Sequence, residues 1–152
     1  MPSLVLFVPC ERVALDYVDS SASLIGIFQG FTATKIPKID GPADVPQGPG
    51  YLVKEPTIPI RWCAFSLWRK LPDDENKGFE QVVQLLTPSG KESFNISLSF
   101  KMEHKFHRNT AYVNNFPVGE AGDYLLRLFL KGPEGELLEK AVYPISVEVV
   151  LP

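Results

Sequence analysis

The chain has 152 residues, a single-domain length that can bury a core without disulfide or metal support. Hydrophobic residues at 45% and charged residues at 22% are ordinary globular values and exclude a disordered or fibrous chain. With 15 Lys and Arg against 18 Asp and Glu the net charge is −3, which gives no support to a nucleic-acid partner. The first apolar run, residues 4–8, has no Lys or Arg before it and no small-residue cleavage site after it, so it does not read as a signal peptide. No stretch approaches the roughly 20 apolar residues of a membrane span. The expectation is a cytoplasmic chain with no membrane partner, in which Cys10 and Cys63 are free, buried thiols and no disulfide forms. The sequon Asn95-Ile96-Ser97 carries little weight without a secretory signal.

Pro9 closes the run 4–8, which suits an edge or entry strand. Val13-Ala14-Leu15 follows, then a polar turn over 16–21. Residues 23–33 read as one long strand, in which Gly26 and Gly30 predict a bulge or a close backbone approach. Residues 36–50 hold Pro37, Pro42, Pro46, Pro49, Gly41, Gly48 and Gly50, and predict a long irregular loop.

The next strand covers 58–70, and both of its alternating sets are apolar. Ile60, Trp62, Ala64, Ser66 and Trp68 make one; Cys63, Phe65 and Leu67 make the other, between Arg61 and Arg69. An acidic loop follows over 72–78. Residues 79–86 then run into Thr87-Pro88-Ser89-Gly90, a turn with proline and glycine suitably placed, and the pair reads as a hairpin. Its second arm alternates strictly: Phe94, Ile96, Leu98, Phe100 and Met102 against Ser93, Asn95, Ser97 and Ser99. Residues 101–108 are basic and polar. Two further strands follow, over 124–130 and 141–151, joined by a turn at 131–136.

About seven or eight strands and no helical period predict an all-β, antiparallel two-sheet sandwich as one domain over 1–152. Glu120-Ala121-Gly122-Asp123-Tyr124 sharpens this to an immunoglobulin-like sandwich. A glycine-containing corner followed by Tyr and an apolar alternation is the tyrosine-corner pattern, giving Tyr124 and Gly122 structural roles. Antibody domains place a cysteine two residues after that Tyr. Leu126 stands there instead, which points to disulfide-free relatives.

With Cys10-Glu11-Arg12, Ser23-Leu24-Ile25-Gly26-Ile27-Phe28, the Pro88-Ser89-Gly90 turn and the Gly122-Asp123-Tyr124 corner, the chain resembles an uncharacterised family of small bacterial single-domain proteins. The resemblance implies a bacterial, cytoplasmic β-sandwich of unknown role and carries no catalytic residue with it.

His104 and His107 are too few for a transition-metal site, and Lys101, Lys105 and Arg108 beside them repel cations. Asp73, Asp74, Glu75 and Asn76 resemble calcium-binding loops, with Asp40 and Asp44 as further oxygen donors. Both cysteines lie in apolar segments where a thiol stays protonated, and no phosphate loop, nucleophile elbow or carboxylate pair is present. No enzyme, cofactor or metal is therefore expected.

In a two-layer sandwich one set of the strand 58–70 faces outward and must be covered, by the 36–50 loop or by another subunit. Large aromatics flanked by small residues, with arginines nearby, have the composition of interface centres. This makes Trp62, Trp68, Arg61 and Arg69 the candidate interface residues, against the plainer alternative that both tryptophans are core. The leading expectation is a non-catalytic interaction or structural module, binding an unknown protein or a second copy through a sheet face or edge strand. The rival is a small-ligand or calcium-binding sandwich using the 36–50 and 72–78 loops.

Overall fold

A computed structural model describes residues 1–16, 18–34 and 57–150. The 36–50 loop, with Asp40 and Asp44, lies outside these residues. They are all-β apart from a short 3-10 turn at Pro72–Asp74. The strands are β1 (Ser3–Leu15), β2 (Ala22–Ile27), β3 (Gly30–Thr34), β4 (Thr57–Arg69), β5 (Gly78–Leu86), β6 (Glu92–Lys101), β7 (Phe106–Pro117), β8 (Gly122–Lys131) and β9 (Leu137–Val150). No helix among the described residues is long and apolar enough to cross a membrane.

Two sheets form, in the orders β2-β1-β4-β7 and β3-β9-β8-β5-β6. Trp62, Ala64 and Trp68 from β4 and Phe7 from β1 meet Val83, Leu85, Tyr124, Leu126, Leu128 and Ile145 of the second sheet in one buried cluster. No disulfide links Cys10 and Cys63. The β5–β6 hairpin forms where the turn residues placed it, with Phe79 opposite Phe100 and Gly90 at φ +87°.

The described residues hold nine strands, more than the sequence pattern counted, for two reasons. Residues 23–33 do not form one strand: the chain breaks at Phe28 and Gln29, and its halves join different sheets, β2 antiparallel to β1 and β3 parallel to β9. The sandwich is thus not wholly antiparallel. Gly30 permits that parallel pairing, because a Cβ there would collide with the Ser146 carbonyl oxygen. The second reason is β7, whose Asn109 and His107 interrupt the apolar alternation. Both side chains have partners inside the fold: His107 stacks on Phe100 with ring centroids 4.7 Å apart and bonds Asn109 Oδ1 at 2.9 Å.

Asn109 belongs to a polar knot inside the core. Gln81 Oε1 accepts from Ser66 Oγ at 2.6 Å, Trp68 Nε1 at 2.8 Å and Asn109 Nδ2 at 3.1 Å. An indole N–H only donates, so the oxygen of Gln81, not its nitrogen, must face Trp68. The other indole, Trp62, donates to the Asn115 carbonyl at 3.0 Å.

β1 also differs from expectation, running through Pro9 as an interior member of its sheet. Only residues 10–15 of β1 pair with β2, however, so among the described residues the stretch up to Pro9 keeps one open side, and an open edge tolerates proline.

A hairpin folded over the outer face

The outward set of β4 is Cys63, Phe65 and Leu67, because Trp62, Ala64, Ser66 and Trp68 point into the core. Trp62 and Trp68 are both fully buried. They take the plainer of the two roles the sequence allowed and leave no indole surface for a partner. Arg61 and Arg69 are exposed at the two ends of the outward set, and the Arg61 guanidinium lies over the Tyr112 ring, 5.3 Å from its centroid.

Cys63 is nonetheless fully buried, as is Cys10 opposite it on β1, and Phe65 is nearly so. Their cover comes from the chain itself. Val13 of β1 and Ala22 and Leu24 of β2 pack against these three, together with Leu67. Strands in a sheet lie about 4.8 Å apart, so in a flat sheet of this order β2 and β7 would be about 14 Å apart, farther than an arginine side chain spans. Yet Arg108 of β7 donates to the carbonyl of Ser20, in the turn joining β1 to β2. The outer half of the β1–β2 hairpin therefore bends across the face of β4 and β7. Gly26, at φ +69°, supplies an irregular backbone position in β2 for this bend. Sequence reasoning offered the 36–50 loop or another subunit as the cover and missed this hairpin. Glycine inside an apolar strand was its one visible sign.

Among the described residues the cover is incomplete. Between hairpin and sheet runs a groove of about 360 Å³, lined by Leu6, Ala22, Leu24, Phe65, Leu67, Phe106 and Arg108. Leu6 is 39% and Phe106 47% exposed at its rim. An antiparallel sheet that met only water on this side would alternate to polar residues here. The charged side chains that β4 and β7 turn to this face are Arg61, Arg69 and Arg108, with no carboxylate among them.

Under the hairpin the two thiols touch, Sγ to Sγ at 3.4 Å, and Cys63 Sγ also donates to the Cys10 carbonyl at 3.4 Å. Burial pushes the Cys63 thiol up to about 12, with the Cys10 hydrogen bond adding to it. Burial also raises Cys10, but its hydrogen bond with Cys63 works the other way. Both are protonated near neutral pH.

The remaining candidates lie apart from this face. At the entry to β8 the Glu120 N–H donates to the Tyr124 phenol oxygen at 3.2 Å, and Gly122 takes φ +123° with Pro88 against it. In the acidic loop, buried Asp74 accepts from the Leu71 N–H at 2.9 Å and pairs with the Met1 ammonium at 3.0 Å, while Glu75 pairs with Lys70. His104 is exposed, whereas His107 stacks on Phe100. No group of three or more His, Cys, Asp or Glu among the described residues is arranged to hold a metal ion. The chain matches no model of a known protein family and no curated protein.

Proposed function

We propose that this is a non-catalytic protein-interaction module of immunoglobulin-like build, whose binding site is the apolar groove between the β1–β2 hairpin and strands β4 and β7. The fold assignment is supported by strand order. If β4, β5, β7, β8 and β9 are lettered B, C, E, F and G, then B pairs E in one sheet and C, F and G are consecutive in the other, as in immunoglobulin-like domains. The phenol of Tyr124, bonded to backbone four residues upstream at the start of the F-equivalent strand, supports it further.

The observation that carries the function is the composition of the groove: aliphatic and aromatic walls, an exposed Phe106 at the rim, and Arg108 beside it. Apolar surface of this kind, edged by arginine, is what interfaces enrich. On an acidic protein, three outward arginines on β4 and β7 select a partner segment that places a carboxylate next to an aromatic or aliphatic side chain. The non-catalytic part of the reading is supported by the thiols, which burial keeps protonated.

The test is selection of a displayed random-peptide library against the protein. Enriched peptides should pair an apolar anchor with Asp or Glu, and Phe106→Asp or Arg108→Glu should each weaken their binding at least tenfold. Enrichment of peptides without acidic residues, or binding indifferent to both substitutions, refutes the assignment.

A further inference from the structure

Cys10 and Cys63 are directly opposite one another on antiparallel strands. Opposite residues in such a pair have Cα atoms about 4.5–5.5 Å apart, inside the span a disulfide needs. Their sulfurs are already in contact at 3.4 Å, so bond formation asks for small side-chain rotations and no strand movement. Their position in the fold is also particular. Cys10 is the residue at which β1 changes partner, pairing Cys63 of β4 on one side and Ile27 of β2 on the other. A bond there would join the sheet to the root of the hairpin that covers the outer face.

We propose that Cys10 and Cys63 are a dithiol that hydrogen peroxide converts to a reversible intrachain disulfide at the base of the β1–β2 hairpin. In the first step, with the hairpin lifted, Cys10 gives its proton to water, the thiolate so formed attacks one peroxide oxygen, and the O–O bond breaks. Hydroxide leaves and takes up a proton, giving Cys10 sulfenic acid and water. In the second step the Cys63 sulfur attacks the Cys10 sulfur and water leaves, so the chain loses two hydrogens and the peroxide is reduced to two waters. Cys10 is the attacking group because the Cys63 thiol, hydrogen-bonded to it, stabilises its anion. Cys63 is the resolving group. Both sulfurs are fully buried, so the oxidant enters only when the hairpin lifts, and the rate reports that opening. Hydrogen peroxide suits this constraint, being little larger than water.

The experiment treats reduced, native protein with excess hydrogen peroxide and follows intact mass, a peptide map and the thermal midpoint. Expected are a mass lower by two hydrogens, a Cys10–Cys63 linked peptide and full reversal by a phosphine reductant. The oxidised form should melt roughly 5–10 °C higher, since the link closes a long loop. In Cys63→Ser the sulfenic acid on Cys10 has no resolving thiol, and dimedone should trap it. If that variant does not fold, the wild-type map and midpoint decide alone. Thiols left unmodified where a free-cysteine peptide is consumed, disulfides between chains, or unlinked sulfinic acids would overturn the proposal.

Discussion

Replacing Gln81 by Leu tests whether the polar knot, and not apolar burial alone, aligns the two sheets. The side chains have similar volume, so the change opens little cavity and isolates the hydrogen bonds. Three donors lose their acceptor: Ser66 Oγ, Trp68 Nε1 and Asn109 Nδ2, all on buried residues. A buried donor left unmade costs about 1–3 kcal/mol. The Ser66 hydroxyl rotates and recovers part of that; the indole N–H is fixed by its packing and recovers none. Gln81 Nε2, buried with no hydrogen-bond partner among the described residues, disappears with the substitution and returns about 1 kcal/mol. The net loss should be about 3 kcal/mol. With a urea m-value of about 2 kcal/mol/M, the unfolding midpoint should fall by roughly 1.5 M at unchanged slope. Adding Trp68→Phe removes the stranded N–H, so the two changes together should cost about 2 kcal/mol less than the sum of the singles. A midpoint shift below about 0.5 M, or strict additivity in that cycle, would refute the reasoning.

Two further outcomes follow from local geometry and burial. Gly30→Ala drives a methyl group into the Ser146 carbonyl oxygen, so β3 should detach from β9. Amide exchange should then rise more than tenfold at residues 31–33 while the β5–β6 amides stay protected; unchanged protection over 31–33 would contradict the close approach. Stability should also decline in alkali. Cys63 has its pKa raised in the folded state from 9.0 to about 12, so above pH 9 the unfolded chain binds fewer protons than the native one. The stabilisation is whole below pH 9 and is lost progressively as pH rises towards 12. The urea midpoint of the reduced protein should therefore fall between pH 8.5 and pH 10.5 more steeply than that of Cys63→Ala, and equal slopes would contradict the buried-thiol assignment.

Where period and turn chemistry act alone, the sequence is a reliable guide. The strict alternation of Phe94 to Met102 and the Pro88-Ser89-Gly90 turn specify the β5–β6 hairpin because neither depends on distant contacts. The strand at 106–117 is hidden from the same reasoning. Its inward positions include His107 and Asn109, whose polarity is accommodated, among the described residues, by their bond to each other, by Phe100 of the facing sheet and by Gln81, 28 residues from Asn109 in the chain. The break at Phe28 and Gln29 is hidden for a related reason: an apolar run does not record that its halves serve different sheets. β4 falls between these cases. Its two apolar sets announce burial on both sides, but which set meets the second sheet is decided by shape. The indoles fill the wide inter-sheet space, while Cys63 and Phe65 fit beneath a thin hairpin.

That hairpin makes the groove and the thiol pair parts of one equilibrium. With the hairpin down, Val13, Ala22 and Leu24 seal Cys10 and Cys63, and Ala22 and Leu24 also form one wall of the groove. A segment bound in the groove touches that wall only in the closed arrangement, so the part of its binding free energy that comes from Ala22 and Leu24 counts towards closure. Linkage then requires the converse. A ligand that favours closure must slow peroxide oxidation by the same factor by which closure improves its affinity, provided oxidation proceeds from the open form. A saturating selected peptide should lower the oxidation rate at least tenfold, and Arg108→Glu, which removes the tie to Ser20, should raise it without any peptide. A rate unaffected by the peptide would mean that the thiols are reached by a path that does not pass under the hairpin.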